Sequence, residues 1–117
     1  MELKIGELAK RSGCQVETIR FYEKEGLLPP AIRSQGNYRL YGESHAERLL
    51  FIRHCRSLDM TLYEIRQLLL FKDAPQETCT EVNQILDKHI DHVTHRTHEL
   101  TELQKQLTHL RSLCHNP

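Results

Sequence analysis

Between Pro75 and Pro117 no glycine or proline interrupts the chain. Within that stretch apolar or tolerated residues recur at alternating steps of three and four: Leu86, Ile90, Val93, Thr97, Leu100, Leu107 and Cys114, with Leu103 and Leu110 widening the stripe. This is the seam of a coiled coil. A lone helix cannot bury such a stripe against itself, and a monomer would leave a long apolar face in water. The pattern therefore predicts an obligate dimer.

A cysteine stands at each end of the predicted helix. Thr78-Cys79-Thr80-Glu81 fits a capping box, in which a Thr hydroxyl takes an exposed backbone N–H and a Glu reaches back to the cap. Cys79 would then open the helix, where unpaired N–H groups and the positive dipole end favour a thiolate. Cys79 and Cys114 are 35 residues apart, and at ~1.5 Å rise per residue they lie roughly 50 Å apart on one helix. They cannot share an ion within one chain. If two helices pair antiparallel, Cys79 of one chain arrives beside Cys114 of the other, giving two symmetric sites per dimer. Helix position alone leaves equally open that both cysteines are ordinary small apolar residues.

At 117 residues, 38% hydrophobic and 27% charged, the chain reads as one small domain plus an extension, with an ordinary globular composition. The sixteen Lys and Arg cancel the sixteen Asp and Glu; residues 1–75 hold twelve basic against ten acidic side chains and the remainder four against six. Near-zero net charge argues against a non-specific coat on nucleic acid and leaves DNA contact to locally clustered Arg and Lys. Four cysteines without a leading apolar run suggest neither a signal peptide nor a disulfide framework, and no segment approaches transmembrane length. A cytoplasmic protein with reduced cysteines, and no membrane partner, is the expectation.

Residues 1–72 carry the signals of a winged helix-turn-helix. Ile5 to Ser12 reads as a short helix with Ile5, Leu8 and Ala9 on one face, Gly13 supplies the turn, and a second helix runs from about Val16 to Glu25. Ala9, Gly13 and Ile19 have the offsets that let two helices approach and seal. The second helix would enter the major groove, making Gln15, Glu17, Thr18, Arg20 and Tyr22 candidate DNA contacts, Arg20 foremost. After Pro29 and Pro30, the run Arg33-Ser34-Gln35-Gly36-Asn37-Tyr38-Arg39-Leu40-Tyr41 reads as a hairpin wing turning at Gly-Asn, with arginines suited to phosphate and tyrosines to sugar. Capping boxes at Ser44-x-x-Glu47 and Thr61-x-x-Glu64 open helices running to about Leu58 and Phe71. Leu49, Leu50, Ile52, Leu58, Leu62, Ile65, Leu68 and Leu69 would supply the core, while Arg53 and His54 point to the DNA backbone. Residues 73–78, with Pro75, form a hinge. The expected fold is mainly α: a winged helix-turn-helix followed by a long antiparallel coiled-coil dimerisation helix over 79–114.

The residues Ile5-Gly6-Glu7-Leu8-Ala9, Thr18-Ile19-Arg20-Phe21-Tyr22-Glu23, Gly26-Leu27-Leu28, Arg33 and Asn37-Tyr38-Arg39-Leu40-Tyr41 strongly resemble the MerR family of transcriptional regulators, closest to its cadmium- and lead-responsive branch. The resemblance implies a homodimer on double-stranded promoter DNA between the promoter elements of a metal-resistance operon, working with RNA polymerase. It implies Thr18, Arg20 and Tyr22 as recognition-helix contacts, Tyr38 and Arg39 as wing contacts, and Cys79 and Cys114 as metal ligands. A cysteine at the position of Cys79 goes in this family with divalent ions, monovalent copper sensors having serine there. Thiolates select cadmium, lead, zinc or mercury over magnesium or calcium without ranking the first four. Family members carry a third cysteine several residues beyond the match to Cys114; here either residues 115–117 are the start of a metal-binding loop cut short, or water, His115 or another group completes the site.

His89, His92, His95 and His98 recur every third residue along the long helix and read as a solvated face that drifts away from the seam. Cys14 and Cys55 lack ligand partners at recognisable spacing and read as structural. No paired carboxylates, nucleophile with base or phosphate-cradling glycine loop is present, so nothing supports an enzyme. Two other functions remain compatible with the pattern: a thiol redox sensor in which Cys79 and Cys114 of opposite chains form reversible disulfides, and a metal-buffering protein.

Overall fold

Local chemistry accounts for most element boundaries. The structure, a computed structural model, describes residues 2–75 and 79–114. Helix α1 (Ile5–Ser12) begins where the Lys4 N–H donates to Glu7 Oε1 at 3.0 Å, and it ends at Gly13, whose φ of +71° is a left-handed conformation that a Cβ disfavours. Helix α2 (Val16–Lys24) closes one turn later at Gly26, φ +77°, with the Leu27 N–H reaching back to Tyr22 O at 2.9 Å. Strands β1 (Ile32–Arg33) and β2 (Arg39–Leu40) pair antiparallel, Ile32 opposite Leu40 and Arg33 opposite Arg39. The N-terminal segment extends this hairpin through Leu3, whose N–H and C=O each bond Tyr41 at 2.7 Å.

Helix α3 (Glu43–Ser57) starts one residue before the predicted cap at Ser44. Its entry is held by His45, whose Nδ1 accepts the Gly42 N–H at 3.0 Å. That leaves His45 Nε2 as the protonated nitrogen, and it donates to Pro29 O at 3.0 Å. A buried histidine therefore does the work expected of Glu47, while the N-cap is Gly42, which makes no side-chain cap bond. Helix α4 (Leu62–Asp73) opens with the predicted box: Thr61 Oγ1 accepts the Glu64 N–H at 3.1 Å, and Glu64 Oε1 accepts the Thr61 N–H at 3.0 Å. It runs two residues past the predicted end at Phe71.

Helix α5 (Thr80–Ser112) forms a separate unit from the one that ends at Pro75. Cys79 is its N-cap residue rather than its first turn. The predicted cap Thr78, the hinge residues 76–78, and residues 115–117 including His115 lie outside the described residues. Among the described residues, no helix is long and apolar enough to cross a membrane.

The first unit has one core. Leu8 from α1, Ile19 from α2, Leu49 and Ile52 from α3 and Ile65 from α4 are completely buried, with Leu27, Leu28, Tyr41, Leu68 and Leu69 close around them. Leu50 departs from expectation: one position after Leu49, it faces outward and is 44% exposed. Thr61→Ala should lower stability by about 1 kcal/mol, the usual cost of a lost side-chain N-cap. Urea unfolding of variant and native protein at one fixed protein concentration measures it.

Candidate nucleic-acid interface and sensor helix

The wing is stiffened from within. The Asn37 N–H donates to Ser34 O at 2.9 Å and the Ser34 N–H to Tyr38 O at 3.0 Å, so the left-handed residue is Asn37, φ +61°, and not the neighbouring Gly36. Arg33 Nη1 donates to Asn37 O at 3.2 Å, and the Lys4 ammonium lies 5.2 Å from the Tyr38 ring centre.

Arg20 on α2 and Arg33, Tyr38 and Arg39 on the wing line one hollow together with Lys4 and Ile5. Four cations thus share a concave surface although net charge is zero, the local clustering that a DNA-binding reading of this sequence required. Lys4 was missed at the sequence level, its place in the hollow depending on the Leu3–Tyr41 pairing. Thr18 and Tyr22 face a second hollow, lined also by Glu17, Phe21, Arg56 and Leu62. Burial raises the Tyr22 hydroxyl pKa, and the Arg56 charge pulls the other way. Arg56 was also missed; its offset of three from Arg53 on one helix was the available signal. Arg53 itself lies at the C-terminal end of α1, where its Nη1 donates to Ser12 O at 3.3 Å and complements the negative end of that helix.

Glu23 anchors the wing to the recognition helix. Its carboxylate accepts the Ala31 N–H at 2.9 Å and the Tyr41 hydroxyl at 3.1 Å, and lies 3.7 Å from Arg39 Nε. Burial and then the Glu23 charge push the Tyr41 pKa from 10.0 up to about 12.

On the second unit, Cys79 is half-buried and Cys114 exposed, and none of the four cysteines is in a disulfide. The Asn83 side-chain amide donates to Cys79 Sγ at 3.4 Å, and the Asn83 N–H to Cys79 O at 2.8 Å. Among the described residues no group of three His, Cys, Asp or Glu could hold a metal within one chain. The seam is open: Ile90, Val93, Leu100, Leu103, Leu107 and Leu110 are all exposed. Of the regularly spaced histidines, His89 is buried, whereas His92, His95 and His98 share an open face with Asp91 and Thr94. Burial raises the Cys55 thiol pKa, in keeping with a structural role.

A recognition helix and a wing sharing a basic hollow, followed by a long helix with an uncovered apolar seam, define a winged helix-turn-helix regulator. The chain belongs to the MerR family: residues 3–72 match the MerR HTH family regulatory protein model and residues 46–110 the MerR, DNA binding model. It is 51% identical over 109 residues to the HTH-type transcriptional regulator ZntR homolog of Haemophilus influenzae, covering 93% of this chain and 81% of that one. It is 41% identical over 112 residues to a probable heavy metal-dependent transcriptional regulator of the same organism, covering 96% and 88%. The lead(II) complex of the transcription regulator PbrR691 from Ralstonia metallidurans CH34 matches with 53% identity and a TM-score of 0.66, over 98% of this chain and 89% of that one. The protein is a transcription regulator whose relatives include metal-responsive members of the family.

Because the folded pKa of Tyr41 lies above the ordinary value, its contribution to stability is fully present below pH 10 and is lost as pH rises towards about 12. Glu23→Gln should bring the phenolate titration of this residue down towards 10 without reaching it, since burial remains. Ultraviolet titration of native protein, Glu23→Gln and Tyr41→Phe isolates the shift.

Proposed function

We propose that this protein regulates a metal-resistance promoter by holding a divalent thiophilic ion between Cys79 of one protomer and Cys114 of its partner. The observation that carries the reading is the placement of these cysteines at opposite ends of α5, whose 33 residues carry an exposed apolar seam. At ~1.5 Å per residue the helix is about 50 Å long, so antiparallel pairing through the seam is what unites the two thiols. The donor set fits a soft ion: two sulfurs, one of them already receiving a side-chain N–H from Asn83. Cadmium and lead are the favoured ions, with zinc and mercury compatible with the same ligands; the lead(II) complex of the Ralstonia relative supports this choice. His115, next to Cys114 in sequence, supplies a further donor. Bound there, the ion would tie the end of one chain's sensor helix to the start of the other's.

The homodimer places two copies of the basic hollow on cytoplasmic double-stranded promoter DNA. Arg33 and Arg39 contact phosphate from the wing, with Tyr38 against sugar; Arg20, Thr18 and Tyr22 project from the recognition helix; and Arg53 reaches the backbone beside α1. Binding energy at these contacts holds the duplex in a deformed shape, and metal-dependent movement of the two modules changes that shape for RNA polymerase.

Arg39→Ala should weaken binding to a duplex selected by the dimer from a random pool and reduce the slope of log affinity against log salt by about 1, as for one lost phosphate contact. An unchanged slope removes Arg39 from the interface. In anaerobic cadmium titrations followed by thiolate-to-metal absorbance, Cys79→Ser and Cys114→Ser should each lose the band. A mixed dimer of the two variants should regain one site of the native two. Native absorbance in either single variant overturns the site.

A further inference from the structure

Asp73 is the last residue of α4 and Cys79 the N-cap of α5. Six backbone steps separate them, a reach of at most about 20 Å. Followed along the chain from Cys79, Asp73 is the first helical residue of the DNA-binding module, and what holds Asp73 decides what is fastened to that point of entry.

Arg48 holds it. From the middle of α3, its Nη1 and Nη2 donate to the two Asp73 carboxylate oxygens at 2.9 and 2.6 Å, and its Nε donates to Leu27 O at 2.8 Å. Leu27 is buried just past the recognition helix and is tied to it by the Leu27 N–H bond to Tyr22 O. One guanidinium thus fastens the end of α4 to the exit of α2, and both edges of its fork are in use. Two of the other ion pairs described in this unit differ in kind. Arg11–Glu43 and Arg66–Glu25 have side chains at least 40% exposed on both partners, whereas in the clasp the Asp73 side chain is 52% exposed but the Arg48 side chain only 13%. Exposed pairs of that sort contribute little, while a fork held on three bonds resists both sliding and rotation. The Arg48 guanidinium also keeps the Asp73 carboxyl below the usual carboxylate range, so the pair is fully charged at neutral pH.

We propose that the Arg48–Asp73 clasp, with Arg48 as the positioning residue, transmits displacement of Cys79 to the recognition helix, so that metal occupancy is converted into movement of the DNA-contacting surface. This rests on the metal-sensing reading above. It assigns a task to two residues that touch neither DNA nor the ion.

The test uses the full-length dimer, cadmium as the probe, and a transcription template carrying the selected duplex between promoter elements. Three quantities are read for native protein, Asp73→Asn, Asp73→Glu and Arg48→Lys: the cadmium titration by absorbance, DNA affinity without metal, and transcription with and without cadmium. Asp73→Asn should keep the native cadmium midpoint and metal-free DNA affinity yet lose about tenfold or more of the cadmium-induced activation, within the usual range of allosteric coupling. Asp73→Glu should recover most of it. Arg48→Lys, which keeps the charge but loses the fork, should behave as Asp73→Asn. Native activation in both Asp73→Asn and Arg48→Lys overturns the proposal, as does parallel loss of cadmium binding, DNA binding and thermal stability, the signature of a merely structural pair. Absence of a cadmium band in the native dimer overturns the metal reading itself, and the clasp with it.

Discussion

Everything in this molecule depends on an apolar seam that its own chain cannot cover. Six seam side chains of α5, from Ile90 to Leu110, are between 42% and 61% exposed. Fully burying one such side chain contributes about 1.5–3 kcal/mol, so covering six half-exposed ones is worth on the order of 5–9 kcal/mol per chain. That is comparable with the whole net stability of a small domain, about 5–15 kcal/mol. In the proposed dimer, covering this seam stabilises α5 as well as serving function, and the direction of pairing decides whether the two terminal cysteines meet.

The DNA-binding module solves a different problem, that of holding several cations near one another without a net positive charge. Lys4, Arg20, Arg33 and Arg39 come from three separate stretches of chain. Their repulsion is offset by Glu23, whose carboxylate sits beside Arg39 while accepting bonds from Ala31 and Tyr41. A single acid thereby ties wing to recognition helix and moderates the field. Arg48 ties the chain just past α2 to the end of α4, through Leu27 O and the Asp73 carboxylate. Glu23, in the last turn of α2, and Arg48, on Leu27 just past it, both fasten the C-terminal end of the recognition helix.

What could be read in advance follows the range of the interactions involved. The bounds of α1, the Gly13 turn, the Thr61 box and the presence of a hairpin wing come from neighbours within a few residues, and pattern alone located them. Cys79 and Cys114 were legible as the ends of one helix because a long periodic seam has no other interpretation. The entry to α3 was misplaced because its cap is Gly42 rather than Ser44, with His45 reaching back to it, and that histidine is held by Pro29, sixteen residues away. Leu50 looked like core because apolar identity does not reveal which side of α3 faces inward. The Arg48–Asp73 and Glu23–Tyr41 contacts span 25 and 18 residues, and no local pattern announces them. Lys4 and Arg56 were not singled out by pattern, and only tertiary contacts place them in hollows.

The orientation of the paired helices carries the central claim, and thiol cross-linking measures it directly. With Cys14→Ser and Cys55→Ala removing the other thiols, a short bifunctional thiol reagent applied to the metal-free dimer should join Cys79 of one chain to Cys114 of the other, as identified by mass spectrometry of the linked peptides. Links of Cys79 to Cys79 and Cys114 to Cys114 would mean parallel helices, and the cross-chain sensor would be wrong.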